Sequence, residues 1–545
     1  MKSLTVRLIT VLFTLLTPLA ALAYVPISTE RVSIGSKSIQ ANGDSGSPAI
    51  DSDGSHVAFV SKATNLSPVP IPSGTGQAYL RDMNSGDLKL VSYDHEGNLL
   101  PTGVREVDLS DDGQFVVFSS NYYAGPPSSI PSQLYIRDTS TDTTVRITNY
   151  TDFNGFVDDG IAISNDGRYV SFAGYKSDLV AELQIDQMYV FRWDRVTGIT
   201  EVVSRSFFGE PVYGRGRTDI SANGRYVLYE SPRSNIVFGD TNDGNDVFVR
   251  DMEKGINIRA SLANDGSQFK TYIMPSRISG NGRYVAMMII DDGKDPFYPD
   301  SLSEISLDYY VRDLQLNTTR RASISSEGYV ANDDNNGIPS ISYEGTIGVF
   351  ASKASNFDYP DGNSSYDVFV RDIGNGHTDM VSRSLGGVNP GNDDSFEAVI
   401  SDDGTHVAFT SRSSNLVSGD TNHKKDVFIS ELGEGTHVPI YKFRWPLEFN
   451  PWVNPYFEEL MEKVLLDHDH NPRTEAVKVL GYEITHWRNN VMAVGSCIVP
   501  MPGDEEQFSD MLLTGKYISV EGGESDLPEG CINESVLGQI QKVLR

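Results

Sequence analysis

The sequence predicts a mainly β fold: a seven-bladed β-propeller closed by its own N-terminal strand, followed by a small C-terminal α+β domain. Three observations lead there. One short phrase recurs seven times at intervals of roughly 58 residues, the mark of one supersecondary unit copied in an array. A copy of the repeat's last strand stands alone ahead of the first repeat, where it can complete the last one. The repeat stops near Leu432, and a different periodicity follows.

The phrase is an apolar residue, a polar residue, one spacer, then Asp, Asn or Glu before Gly. It reads Ile50-Asp51-Ser52-Asp53-Gly54 in the first repeat, Leu109-Ser110-Asp111-Asp112-Gly113 in the second and Ile400-Ser401-Asp402-Asp403-Gly404 in the seventh. Asp-Gly and Asn-Gly tolerate positive φ and favour tight hairpins. The phrase therefore ends a first strand and opens a second, such as Phe115-Val116-Val117-Phe118 or Tyr226-Val227-Leu228-Tyr229. Both faces of that second strand are largely apolar, as expected of a sheet covered on each side. The third strand ends in Arg-Asp, as in Val247-Phe248-Val249-Arg250-Asp251, and its recurrence argues for a turn and an ion pair rather than a site. The third repeat reads Phe191-Arg192-Trp193-Asp194, which suggests a bulge. The fourth strand ends in Ser or Thr, as in Arg259-Ala260-Ser261. The seventh repeat lacks one, and Glu30-Arg31-Val32-Ser33-Ile34 supplies it from the N-terminus, protecting edges that would otherwise stay open.

These repeats resemble the TolB-like (WD-like) propeller repeat of exported bacterial proteins, over about residues 29 to 438. The resemblance implies the propeller. It says little of activity, since such propellers serve both as envelope scaffolds and as appendages of hydrolases.

Residues 1–23 read as a signal peptide: Lys2 and Arg7, an apolar stretch from Leu8 to Leu19, and Ala21-Leu22-Ala23 before a cleavage near Ala23/Tyr24. The expected location is the periplasm or the exterior, with no transmembrane span. Net charge is −30, and becomes −32 once Lys2 and Arg7 are removed. Such a chain repels nucleic acid and favours solubility or basic partners. The propeller is assigned to residues 24–438 and the α+β domain to 439–545. Pro439 to Pro455 is rich in aromatics and proline. Helices are expected from Asn454-Pro455 and from Asn471-Pro472 through Trp487, then over Glu505–Thr514 and after Asn533. Strands are expected at Val491–Val499 and Tyr517–Val520. Cys497 and Cys531, the two cysteines, are expected to form a disulfide.

Four places carry residues suited to chemistry. Gly43-Asp44-Ser45-Gly46-Ser47-Pro48 looks like a serine-protease nucleophile loop, but it falls where each repeat joins the next. The loops holding Asp240, Asn242 and Asp246, and Asp420, Asn422 and Asp426, share a spacing that could hold Ca²⁺, with Asp358, Asp361, Asn363 and Asp367 a looser copy. Three side chains fall short of the about six to eight oxygens that ion takes, and the competing reading is a polar turn. Asp467-His468-Asp469-His470 is a dense ligand-type cluster on an inter-helix turn. The inner strands place Asp108, Asp219 and Arg277 at one register of the central channel, with Glu106, Arg217 and Glu397 two residues earlier. A funnel of mixed charge can hold a ligand or a peptide end.

Three functions are expected from these features. The first is an exported, non-catalytic scaffold that binds a protein or ligand in the cell envelope through a propeller face. The second is a propeller-type carbohydrate lyase or hydrolase working through the funnel residues. The third is a calcium-stabilised extracellular adhesion module.

Overall fold

The structure, a computed structural model, describes residues 22–436 apart from several loop stretches, the longest being 122–130 and 292–305, together with short strands between residues 478 and 526. The chain divides into two compact units, one being Tyr24–Glu434.

That unit is a ring of seven four-stranded antiparallel sheets. Blade 1 is built from Ser45–Ile50, His56–Ser61, Gln77–Asp82 and Leu88–Leu90, in that order from the axis outwards. Five further blades repeat this order. Blade 7 takes Ser395–Ile400, His406–Ser411 and Asp426–Thr436 from the end of the repeats and its outer strand, Leu22–Arg31, from the N-terminus. Past that strand Val32 N–H still donates to Val427 O at 2.8 Å and Ser33 Oγ to Asp426 Oδ1 at 2.6 Å.

The core lies between blades. One buried cluster joins Ala58, Leu80 and Val91 of blade 1 to Val107, Val116 and Phe118 of blade 2. Another joins Ala408 and Val427 of blade 7 to Val57, Phe59 and Tyr79 of blade 1. This is why the second and third strands are apolar on both faces. In most blades those two strands face each other through an aromatic pair, such as Phe59–Tyr79 at 5.7 Å and Phe409–Phe428 at 5.8 Å, a favoured cross-strand contact.

Each position of the repeated phrase has a structural task. Ser110 Oγ donates to Asp112 Oδ1 at 2.8 Å and accepts Phe115 N–H at 2.9 Å, closing the hairpin on itself. Ser164, Ser221, Ser279 and Ser401 repeat both bonds. Blade 1 has Asp51 instead, whose Oδ2 bonds His56 Nδ1 at 2.7 Å and raises that imidazole's pKa. The spacers meet around the axis. Asp111 N–H donates to Asn165 O at 2.9 Å, Asn165 to Ala222 at 3.0 Å, and Ala222 to Gly280 at 3.0 Å. Asn281 continues to Tyr343 at 3.2 Å, Tyr343 to Asp402 at 2.9 Å, and Asp403 to Ser52 at 3.0 Å, so the links run from blade 2 through blade 7 to blade 1. The phrase glycine lies against the first residue of the preceding blade's second strand: Gly113 on His56, Gly167 on Phe115, Gly224 on Tyr169 and Gly54 on His406.

Two expectations are corrected. The third strand of blade 3, Met188–Asp194, pairs Tyr169–Tyr175 without a register shift. Trp193 simply stands where five other blades carry the Arg of Arg-Asp and blade 7 carries Ser430. The bulges fall instead on inner strands, between Gly46 and Ala49, Arg215 and Asp219, Pro275 and Arg277, and Phe396 and Val399 among others. The second correction concerns the helix expected through Trp487: Tyr482–Arg488 is a strand. Tyr482, Ile484, Thr485 and Trp487 are aromatic or β-branched, side chains that favour the extended form. It pairs with Val491–Val494, which pairs with Cys497–Pro500, so the stretch expected as one strand at Val491–Val499 is two antiparallel strands. Lys516–Ile518 pairs with Glu524–Asp526. The side chains of Cys497 and Cys531, residues 439–455, Asp467-His468-Asp469-His470 and the other expected helices lie outside the described residues.

Candidate functional site: the axial well and the loop-rich face

All seven inner strands line one axial well of about 100 Å³. Its charged lining comprises Asp51, Asp108, Asp111, Asp219 and Asp402 against a single cation, Arg277. The structure brings Asp108, Asp219 and Arg277 together as their common register predicts. Arg277 Nη1 lies 3.2 Å from Asp219 Oδ1. Burial in the well pushes the Asp108 carboxyl up to about 7, against the pull of Arg277. Burial also raises Asp219 and Asp402. For Arg277 burial works the other way, and Asp219, Asp108 and Glu106 together outweigh it and hold the guanidinium above its ordinary value. Asp402 belongs to the spacer position rather than the strand register, so register alone misses it. Its Oδ2 accepts Asn165 Nδ2 at 2.6 Å from across the well.

The well's acids also tie one blade to the next. Asp108 Oδ2 accepts Ile163 N–H at 3.0 Å, and Asp219 Oδ2 accepts Ile278 N–H at 2.6 Å. One layer nearer the loops, Glu106 accepts Gly160 N–H at 2.8 Å and pairs with Arg217 Nη1 at 2.6 Å. Glu397 accepts Ser47 N–H at 2.9 Å and Thr410 Oγ1 at 2.7 Å, with Lys425 Nζ 3.8 Å away. Ser47 and Glu397 both take left-handed backbone, at φ 50° and 54°. Ser45 of the same loop is buried, its Oγ 2.8 Å from Ser61 Oγ. Each of the six funnel residues thus braces a neighbouring blade or pairs with a residue that does.

A carboxyl raised by burial sets a pH dependence. Asp108 binds its proton more tightly folded than unfolded. Its contribution to stability is therefore present in full below the unfolded value near 4 and is lost as pH rises through about 7. Asp108→Asn should flatten this slope and stabilise the propeller at pH 8 by on the order of 1–3 kcal/mol. Urea unfolding at pH 5 and pH 8 measures it, and equal effects at both pH values would contradict the assignment.

Antiparallel order puts the tight connections, such as 51–55 and 221–225, on one face of the ring. The long ones, such as 62–76, 232–245 and 412–425, lie on the other. The residues singled out for Ca²⁺ lie on this loop-rich face. Arg259 Nη2 is 2.9 Å from Asp240 Oδ2, and Arg31 Nη2 is 2.9 Å from Asp420 Oδ2, all four side chains being buried. Asp246 and Asp426 accept Ser261 Oγ at 2.5 Å and Ser33 Oγ at 2.6 Å. Asn242 donates to Phe269 O at 2.9 Å, and Asn422 to Ala41 O at 3.1 Å. A guanidinium thus sits among the oxygens of each loop. Its signal in the sequence is the Arg two residues before the strand-final Ser. In the looser copy Asp367 accepts Ser382 Oγ at 2.6 Å and Asn363 Nδ2 at 2.8 Å, and burial raises it to about 7. Asp361 is buried, and Asp358 lies outside the described residues. Among the described residues no group of three or more His, Cys, Asp or Glu side chains is placed to hold a metal ion. Nor is any described helix long and apolar enough to cross a membrane.

No family model matches the chain, and no curated protein matches it. Solved structures do. An oligogalacturonate lyase in complex with manganese is 12% identical, covering 76% of this chain and 98% of its own, at a TM-score of 0.46. The propeller domain of the trilobed protease from Pyrococcus furiosus is 13% identical, with 75% and 99% covered and a TM-score of 0.44. TolB from Acinetobacter baumannii is 14% identical, with 66% and 78% covered and a TM-score of 0.34. The architecture of this chain itself is a seven-bladed β-propeller closed by the strand at its N-terminus.

Proposed function

We propose that the chain is an exported, non-catalytic binding propeller that holds a protein partner of the cell envelope on its loop-rich face. The observation that supports this most is the division of work within the ring. The funnel's charged groups brace blade against blade, while the long connections gather on one face, where a rigid scaffold displays them to solvent. Export rests on the basic and apolar character of residues 1–23. The net charge of −30 keeps such a protein soluble and directs it away from nucleic acid.

A photo-crosslinking residue at Asn235, on the loop-rich face, should yield a discrete adduct in living cells. The same residue at Asp142, on the tight-turn face, should yield none. Adducts from Asp142 alone, or from neither position, would refute the proposal. Turnover of a glycan or peptide panel, abolished by Arg277→Ala, would favour the enzyme alternative.

A further inference from the structure

At the seam of blades 3 and 4, the loop-rich face carries three phenylalanines, one of which touches the other two. Phe207 and Phe208 form the turn after the outer strand of blade 3, and Phe238 lies in the long loop of blade 4. Phe207 N–H donates to Asn235 O at 3.0 Å and pins the turn to that loop. The ring of Phe207 lies 4.0 Å from that of Phe238 and 4.3 Å from that of Phe208, centroid to centroid. Phe208 and Phe238 are nevertheless 79% and 80% exposed.

The repeat supplies an internal control. At the seam of blades 6 and 7 the same bond joins Leu385 N–H to Asn415 O at 2.7 Å. There the residues matching Phe208 and Phe238 are Gly386 and Ser418. The fold therefore forms this seam without the two exposed rings. A cluster of exposed aromatics that folding does not need marks a contact surface.

Charge narrows the partner. The chain has 74 acidic residues against 44 basic ones. Yet segments 205–209 and 231–239, which bear the rings, contain Arg205 and Arg233; of the acids that flank them, the side chains of Glu230 and Asp240 are buried, Asp240 against Arg259, and only Glu210 is exposed. Arg233 is exposed, lies 5.8 Å from the Tyr213 ring and makes no ion pair among the described residues. A second copy meets the repulsion of one net charge of −30 on another, whereas a short acidic segment carries few charges, meets far less of it, and can pair locally with Arg233.

We propose that Phe207, Phe208 and Phe238 seat an apolar side chain of an extended protein segment flanked by Asp or Glu, with Arg233 pairing to a flanking carboxylate. This rests on the reading that the loop-rich face binds protein, and adds the place and the chemistry.

The probe is a pool of fluorescent dodecapeptides with a central Leu or Phe flanked by Asp and Glu, titrated against the full chain. A matched pool carries Lys and Arg at the flanks. The acidic pool should bind at least tenfold more tightly. Phe208→Ser with Phe238→Ser should weaken it at least tenfold, and Arg233→Glu should do likewise, with the melting temperature unchanged. Equal binding of the two pools, or binding indifferent to the phenylalanine variants, overturns the proposal. So does sedimentation showing a dimer that the serine variants dissociate, or binding of the patch to phosphatidylglycerol vesicles in place of peptide. If Asn235 adducts persist in the double serine variant while no peptide preference exists, this site fails and the wider reading stands.

Discussion

Replacing Arg31 with Ala should destabilise the propeller by about 3–5 kcal/mol, the loss expected when one partner of a buried ion pair is removed. Arg31 and Asp420 are 5% and 4% exposed and 2.9 Å apart, so the variant leaves a carboxylate enclosed without its cation. Arg31 also ends the strand that completes blade 7, next to the Val32–Val427 and Ser33–Asp426 bonds. Amides of Val427 to Ser430 should exchange faster in the variant, ahead of those in blades 3 to 5. Removing both charges with Arg31→Ala and Asp420→Ala should recover part of the loss. A cost under about 1 kcal/mol for Arg31→Ala, with protected amides, would mean that the pair does not hold the closure.

The second large effect is expected at Gly224. Its φ is +70°, a region that costs an L-residue about 1–2 kcal/mol. A Cβ there would also lie inside the van der Waals envelope of the Tyr169 ring. That ring cannot yield easily, because the guanidinium groups of Arg168 and Arg192 lie 4.8 and 4.4 Å from its centroid. Overpacking adds about 1–3 kcal/mol. Gly224→Ala should thus lower stability by roughly 2–5 kcal/mol in urea unfolding. Tyr169→Ala in the same chain should return the steric part and leave the backbone part. No recovery would show that the ring is not the obstacle.

The repeat made much of the ring legible. Asp-Gly and Asn-Gly placed the hairpins, and the orphan Arg31-Val32-Ser33 foretold the closure, because both depend on local chemistry repeated at a fixed interval. The register of Asp108, Asp219 and Arg277 was legible for the same reason. The inner-strand bulges were not, since Ser47 and Glu397 reach positive φ without the glycine that usually announces it. The arginines among the loop carboxylates stand outside the loops in sequence, Arg259 on the outer strand of its blade and Arg31 at the far N-terminal end of the propeller, so the loop sequence alone does not show them. Asp402 escaped because the well also draws on turn residues. At Tyr482–Arg488 the helical spacing of Leu480, Ile484 and Trp487 points to a helix, while the aromatic and β-branched residues of the same stretch favour the strand.

Because Leu22–Arg31 pairs with Asp426–Thr436, the first strand of the propeller to be synthesised must wait for its last. Six sheets can condense in order of synthesis, but the seventh stays incomplete until its two ends meet. Joining residues about 400 positions apart is the slow, entropically costly kind of contact. A growing chain therefore remains an open arc, vulnerable to proteases, and rigidity arrives as a final event rather than blade by blade.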